Sequence, residues 1–207
     1  PFIVTLATMS IARGLAQILA DGQSVYQVPD QFSWLAVGKP MGIPNEVIMM
    51  LVLYVFAHIM MTKTTLGRWF YAVGSNREAA RLSGVPVGLV LMIAYVASGA
   101  LAGVGGVLEA SRLQSGSPLY GVMYELYVIT AVVVGGTSLA GGEGKIFGTL
   151  YGALAIAVIR NGMNLMNIES YTQGVVMGVL ILVAVFIDSL KRGYVLSWLK
   201  GLASRTT

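Results

Sequence analysis

Long apolar stretches separated by short polar ones set the pattern of this chain. Residues 1–20 are mostly apolar but carry Arg13, with Pro1 at the first turn, where a missing amide donor costs little; they predict a helix that crosses a membrane incompletely. Residues 21–46 hold Asp21, Gly22, Pro29, Asp30, Lys39, Pro40, Gly42 and Pro44, breaker signals without periodicity that predict a loop. Residues 47–61, extendable to Thr64, form a nearly unbroken apolar run, and residues 86–108, 121–140, 146–166 and 171–187 supply four more. A run of about 20 residues matches the hydrocarbon thickness of a bilayer. Backbone groups in lipid must be bonded internally, which favours helices; barrel strands would alternate over about ten residues. The expected fold is therefore an all-α polytopic membrane protein, a bundle of about five transmembrane helices plus an N-terminal partial helix. Residues 1–207 are expected to form a single membrane-embedded domain, with residues 62–85 as a loop within it and 189–207 as a tail.

Composition sharpens this picture. Of 207 residues, 56% are apolar and 11% charged, and the mean hydropathy is +0.77, against about 25% charged residues in soluble domains. There is too little polar surface for a water-facing body. The absence of cysteine excludes a disulfide scaffold and thiolate metal sites, and the single histidine, His58, lies inside an apolar run, so no metal site is expected. The first segment lacks the basic region of a secretory signal and opens on Pro1, which points to the C-terminal part of a longer protein.

Charge then sets the topology. Placing residues 62–85 in the cytoplasm puts Lys63, Arg68, Arg77 and Arg81 there, and alternation adds Lys145, Lys191, Arg192, Lys200 and Arg205. The other face keeps Lys39 and Arg112 with most acids: Asp21, Asp30, Glu46, Glu109, Glu125 and Glu169. The net charge of +4 is thus a topology signal, and nucleic acid is not expected as a partner. Within the spans, Gly99-x-x-x-Gly103, the cluster Gly103, Gly105 and Gly106, and Gly174-x-x-x-Gly178 predict close helix–helix packing.

Catalytic motifs are missing. The stretch from Gly135 and Gly136 through Gly141, Gly142 and Gly144 to Lys145 superficially suggests a phosphate-binding loop, but Leu139 stands where that loop needs its first glycine and Ile146 where it needs Ser or Thr. No nucleophile elbow or zinc-binding histidine pair is present. No catalytic residue and no cofactor of this chain is expected, so an energy source must lie on another chain or in a gradient.

The segment from Gly67 and Arg68 to Gly84 stands out. Ser75 or Asn76 is a good N-cap, Glu78 falls in the first turn where the helix dipole favours an anion, and Gly84 is suited to close the helix in a left-handed conformation. Trp69, Phe70 and Tyr71 suit the membrane interface. A partner pushing on this short cytoplasmic helix would move the spans on either side.

These residues carry a family resemblance. Glu78-Ala79-Ala80-x-x-x-Gly84 resembles the EAA loop of importer permeases of the ATP-binding-cassette class, and its setting from Gly67 to Val85 resembles the ribose and galactose branch. The likeness extends over nearly the whole chain, through Arg13-Gly14, Tyr124-Glu125-Leu126, the Val134 to Gly142 stretch and Asn161-Gly162-Met163-Asn164. The resemblance implies a type II importer permease in the bacterial plasma membrane, crossing it several times, with residues 62–85 and the C-terminus cytoplasmic. It also implies a pore made with a second permease subunit, identical or related, a sugar-binding protein on the outer face and a cytoplasmic ATPase pair that holds ATP and Mg. In that picture Arg77 and Glu78 contact the ATPase, Ala79 and Ala80 permit close approach and Gly84 sets the helix end, with Gly67, Arg68, Ser75, Asn76 and Arg81 in the same coupling segment. Two departures stand out: Tyr127 replaces the aspartate usual after Tyr-Glu-Leu, and Arg160 replaces an uncharged residue. An intramembrane cation faces a cavity, pairs locally or snorkels.

Tyr124, Glu125, Thr130, Asn161 and Asn164 are the polar candidates for a pore or substrate path, each with helix–helix hydrogen bonding as the alternative. Glu125 is placed to meet the binding protein or a basic partner such as Arg112. The alternatives to a sugar permease are a permease for branched-chain amino acids or nucleosides, and a gradient-driven carrier, which would show internal repeats and ionisable pairs.

Overall fold

The computed structural model describes residues 2–26 and 28–191. Arg192, Lys200 and Arg205, with most of the expected tail at 189–207, lie outside the described residues, as does Pro1. In chain order the helices are α1 (Phe2–Leu19), α2 (Asp30–Val37), α3 (Asn45–Lys63), α4 (Thr65–Ser75), α5 (Arg77–Leu82), α6 (Val87–Leu113), α7 (Tyr124–Val134), α8 (Ile146–Leu165) and α9 (Ser170–Lys191). Four of them, α3, α6, α8 and α9, are long and apolar enough to cross a membrane. Helix α1 is a shorter apolar helix, in keeping with Arg13 interrupting its sequence.

The run at 121–140 differs from its expected full span. Helix α7 covers only 11 residues of it, about 17 Å against a hydrocarbon core of about 30 Å. Its limits have local causes: Met123 takes a left-handed φ of 70° just before it, and Gly136 a φ of +85° just after. Apolar composition continues through both turns, and composition does not register a change of backbone hand.

The chain forms two compact units, one built from the described residues up to 53 and from 92–122, the other from 54–91 and from 123 onward. In the first, Ser111 is fully buried and fastens α2 to α6: its hydroxyl donates to the Phe32 carbonyl at 2.6 Å and accepts from the Ala36 amide at 3.1 Å. Asn45 donates to the Trp34 carbonyl at 2.6 Å, and Val25 and Gly116 exchange two backbone hydrogen bonds at 2.7 and 2.9 Å. The loop at 21–46 is thus partly structured, because these side-chain bonds satisfy backbone groups that turn residues leave open.

The second unit is organised around α7, α8 and α9. Ala131, Ile156, Met163 and Met177 form its buried centre, with Tyr127, Ile159 and Leu180 packed against it. Helices α7 and α8 approach backbone to backbone. A Cβ at Gly152 would meet the Ala131 carbonyl oxygen, one at Gly135 the Gly148 carbonyl oxygen, and one at Gly148 the Gly135 carbonyl oxygen. The small-residue pair that brings helices together is therefore Gly148-x-x-x-Gly152. Those expected to do so differ: within its own unit, a Cβ at Gly99, Gly103, Gly105, Gly106, Gly174 or Gly178 would meet no described atom within 4 Å. Spacing alone marks which helices are able to pack closely, and the facing helix decides which do.

Gly152→Ala is expected to lower the melting temperature of the detergent-solubilised full-length protein, since the added methyl overpacks a backbone contact at a cost of about 1–3 kcal/mol. Gly103→Ala should leave it unchanged or raise it, by up to about 1 kcal/mol of helix propensity. Equal melting temperatures for Gly152→Ala and the parent would remove the α7–α8 contact from the account.

Candidate functional site

The residues singled out between Gly67 and Gly84 form two helices meeting at one residue. Thr64 caps α4 by accepting from the Gly67 amide at 3.3 Å, and Gly67 is buried where a Cβ would meet the Met61 carbonyl. Asn76 ends α4 through its amide, bonded to the Ala72 carbonyl, and starts α5 by accepting from the Ala79 amide at 2.9 Å. One residue thus fixes the bend between them. Helix α5 ends in a Schellman arrangement: Val85 donates to the Ala80 carbonyl and Gly84 to the Arg81 carbonyl, each at 3.0 Å, with Gly84 at φ +81°. Ser75 is the last residue of α4, so the second helix starts at Arg77.

Helix α5 faces outward. Arg77, Glu78, Ala79, Arg81 and Leu82 are exposed and only Ala80 is buried. Glu78 and Arg81 form an ion pair at 2.9 Å, i to i+3 along the helix. Leu82, 80% exposed, is an apolar knob among these charges.

Against the C-terminal end of α4 lies the glycine-rich stretch between α7 and α8. The Tyr71 hydroxyl donates to the Gly144 carbonyl at 2.8 Å. A Cβ at Gly74 would stand 2.6 Å from the Gly142 nitrogen, and one at Gly142 would stand 2.8 Å from the Ser75 Cα. Gly142 also takes a φ of +78°, so glycine is required there twice over, for conformation and for space. Inside the stretch, Ser138 donates to the Glu143 carbonyl at 3.0 Å, which folds it into a compact turn. A cavity of about 300 Å³ is lined by Met61, Phe70, Tyr71, Thr137, Lys145 and Thr149. A sequence that fails as a phosphate-binding loop is thus a seat for the α4–α5 corner. Its doubled glycines are the signal in the sequence, and their partner at Gly74 becomes apparent only in three dimensions.

At the other end of α7 and α8, Tyr124, Tyr127, Val128 and Ala131 of α7 face Ala153, Ile156, Ala157 and Arg160 of α8 across a groove of about 220 Å³. Both sets follow i, i+3, i+4, i+7, so each helix offers one face. The Arg160 guanidinium carbon stands 4.6 Å from the Tyr127 ring centre and 5.9 Å from that of Tyr124. Tyr127 and Arg160, set apart separately in the sequence, therefore occupy one place: the cation rests on the phenol ring. An arginine in a membrane-crossing helix costs about 2.5–3.5 kcal/mol on insertion scales, and ring contacts of this kind return about 0.5–2 kcal/mol.

The remaining pore candidates separate. Thr130 is 1% exposed and its hydroxyl donates to the Leu126 carbonyl at 2.7 Å, a bond within its own helix. Asn164 accepts from Gln173 at 2.8 Å, joining α8 to α9. Asn161 is exposed on α8, and Glu125 is exposed in the first turn of α7. Among the described residues no group of three His, Cys, Asp or Glu is arranged to hold a metal.

Comparison with known proteins joins these features to a family. The chain is 43% identical over 195 residues to the ribose import permease protein of Escherichia coli (strain K12), covering 92% of this chain and 61% of that protein. It is 42% identical over 193 residues to the ribose import permease protein of Bacillus subtilis (strain 168), covering 92% and 60%. Against the L-arabinose transport system permease protein of Escherichia coli (strain K12) it is 42% identical over 190 residues, covering 92% and 58%. The chain thus spans about three fifths of the length of these relatives. No solved structure matches it. The family described as branched-chain amino acid transport system / permease component matches residues 1–185, and the chain, membrane-spanning helices and glycine-seated corner included, belongs to that family.

Proposed function

We propose that the chain is part of the transmembrane permease subunit of an ATP-binding-cassette importer that moves a monosaccharide into a bacterial cell. The observation that carries the reading is the short helix α5, capped at both ends, exposed on its outer side and joined through Asn76 to the end of α4, which is seated on the turn between α7 and α8. Such a helix suits a partner that pushes. The sugar class rests on the relatives, whose names specify ribose, L-arabinose and D-allose. Branched-chain amino acids, named in the family's description, are the second reading.

In this reading an ATPase on a separate chain binds α5 through Arg77, Glu78, Arg81 and Leu82, and holds its own ATP and Mg. Closure of the ATPase around ATP moves α5 and the end of α4 as one body, because Asn76 caps both. The displacement reaches the glycine turn through backbone, at Gly74, Ser75 and Gly142, where no flexible side chain absorbs it. From there it passes to α7 and α8, whose own backbone contact makes them tilt together and exchange one access state for the other. A binding protein delivers the sugar on the outer face, a second permease subunit completes the pore, and residues 62–85 lie in the cytoplasm.

Glu78→Lys is expected to reduce recovery of the ATPase with the full-length permease by about tenfold, ~1.4 kcal/mol of interface. The exposed pair it breaks contributes only about 0.2–0.5 kcal/mol to the helix, so membrane insertion should persist. Unchanged recovery and uptake would sink the coupling role of α5. Gly142→Ala adds a methyl against Ser75 in a left-handed conformation, a strain of about 1–3 kcal/mol. Uptake in proteoliposomes should fall several-fold with ATPase recovery intact, and full uptake would show that force takes another route.

A further inference from the structure

The groove between α7 and α8 holds a cation that no anion among the described residues answers. Among those residues Glu78 pairs with Arg81, and Arg160 takes part in no such pair and no hydrogen bond. Its contacts are the rings of Tyr127 and Tyr124, themselves tilted by 48° with centres 6.0 Å apart. Ring faces stabilise the charge of a guanidinium but leave its N–H donors without acceptors. Glu125 neighbours Tyr124 in sequence, yet it is exposed in the first turn of α7 and does not pair with Arg160. The floor of the groove is small and apolar, with Ala131, Ala153 and Ala157 leaving about 220 Å³ open. That space lies below the about 300–1,000 Å³ typical of sites for drug-sized ligands. An arginine fork, two aromatic walls and room for one small ring are the parts of a site for a ring-bearing oxyanion, since a guanidinium grips carboxylate or phosphate oxygens in pairs.

We infer that this groove is a substrate site and that its ligand is a monosaccharide carrying an oxyanion, a sugar acid or sugar phosphate, with the charged group on Arg160 and the ring against Tyr124 and Tyr127. The inference rests on the importer reading above and narrows its substrate class. Position agrees with it. The groove occupies the end of the α7–α8 pair remote from the glycine turn, which in the importer reading is the outer end, where substrate arrives. Tilting of the two helices by a push at the turn changes the spacing of the faces that line it.

The test is binding to the full-length permease in nanodiscs of zwitterionic lipid, without binding protein or ATPase, by calorimetric titration with galacturonate and with galactose. Galacturonate should bind at least about tenfold more tightly, a difference of ~1.4 kcal/mol, and the preference should shrink as salt is raised. Arg160→Gln should abolish it, Arg160→Lys should restore part of it, and Ala157→Leu, which fills the groove and leaves the charge in place, should abolish binding of galacturonate. Equal affinity for the two sugars, or a preference for galacturonate unchanged in both Arg160→Gln and Ala157→Leu, overturns the inference. So does a wild-type protein that ignores galacturonate but retains phosphatidylglycerol through purification in an Arg160-dependent way, which makes the groove a lipid headgroup seat. Because these readouts need neither ATP nor transport, they are distinct from failure of the importer reading, which shows as a full-length permease that recovers no ATPase and takes up no sugar with ATP.

Discussion

The second unit depends on one constraint: two helices, α7 and α8, touch through backbone. Where Gly152 meets the Ala131 carbonyl and Gly148 meets Gly135, no side chain lies between the axes to act as a cushion. In a lipid setting apolar side chains gain little by meeting one another, because the tails around them are equally apolar. Close backbone approach is what remains to hold helices in register. It fixes the groove at one end of the pair and the glycine turn at the other.

The corner between α4 and α5 obeys the same logic. Asn76, Gly84 and the Thr64 cap define it by hydrogen bonds that local sequence encodes. Asn76 and Gly84 are legible in the sequence because a capping side chain and a closing glycine act within a few positions of themselves. The surface the corner rests on is not legible in that way. Gly74 and Gly142 are far apart in the chain, and nothing in either neighbourhood names the other. The same holds for the packing glycines. Gly99 with Gly103 and Gly174 with Gly178 have the spacing that helix contacts use, but Gly148 and Gly152 have a facing chain that fills the hollow.

Chain-wide features are legible because they sum over many residues. Apolar runs mark α3, α6, α8 and α9 to within a few positions, and the spaced motifs lead to the family that matches residues 1–185. Single-residue features are hard to read when they depend on neighbours across space. Thr130 has the chemistry of a polar candidate for a path and is bonded within its helix, whereas Tyr127 and Arg160, separate oddities in the sequence, are one pair.

The shortness of α7 sets what must surround its ends. Eleven residues of helix are too few to carry the chain across a hydrocarbon core of about 30 Å, and turns begin at Met123 and Gly136. Exposed peptide groups are not tolerated there unless protein or water surrounds them. In a membrane-spanning protein each end of α7 therefore needs protein or water around it, a demand that a full-length span does not make.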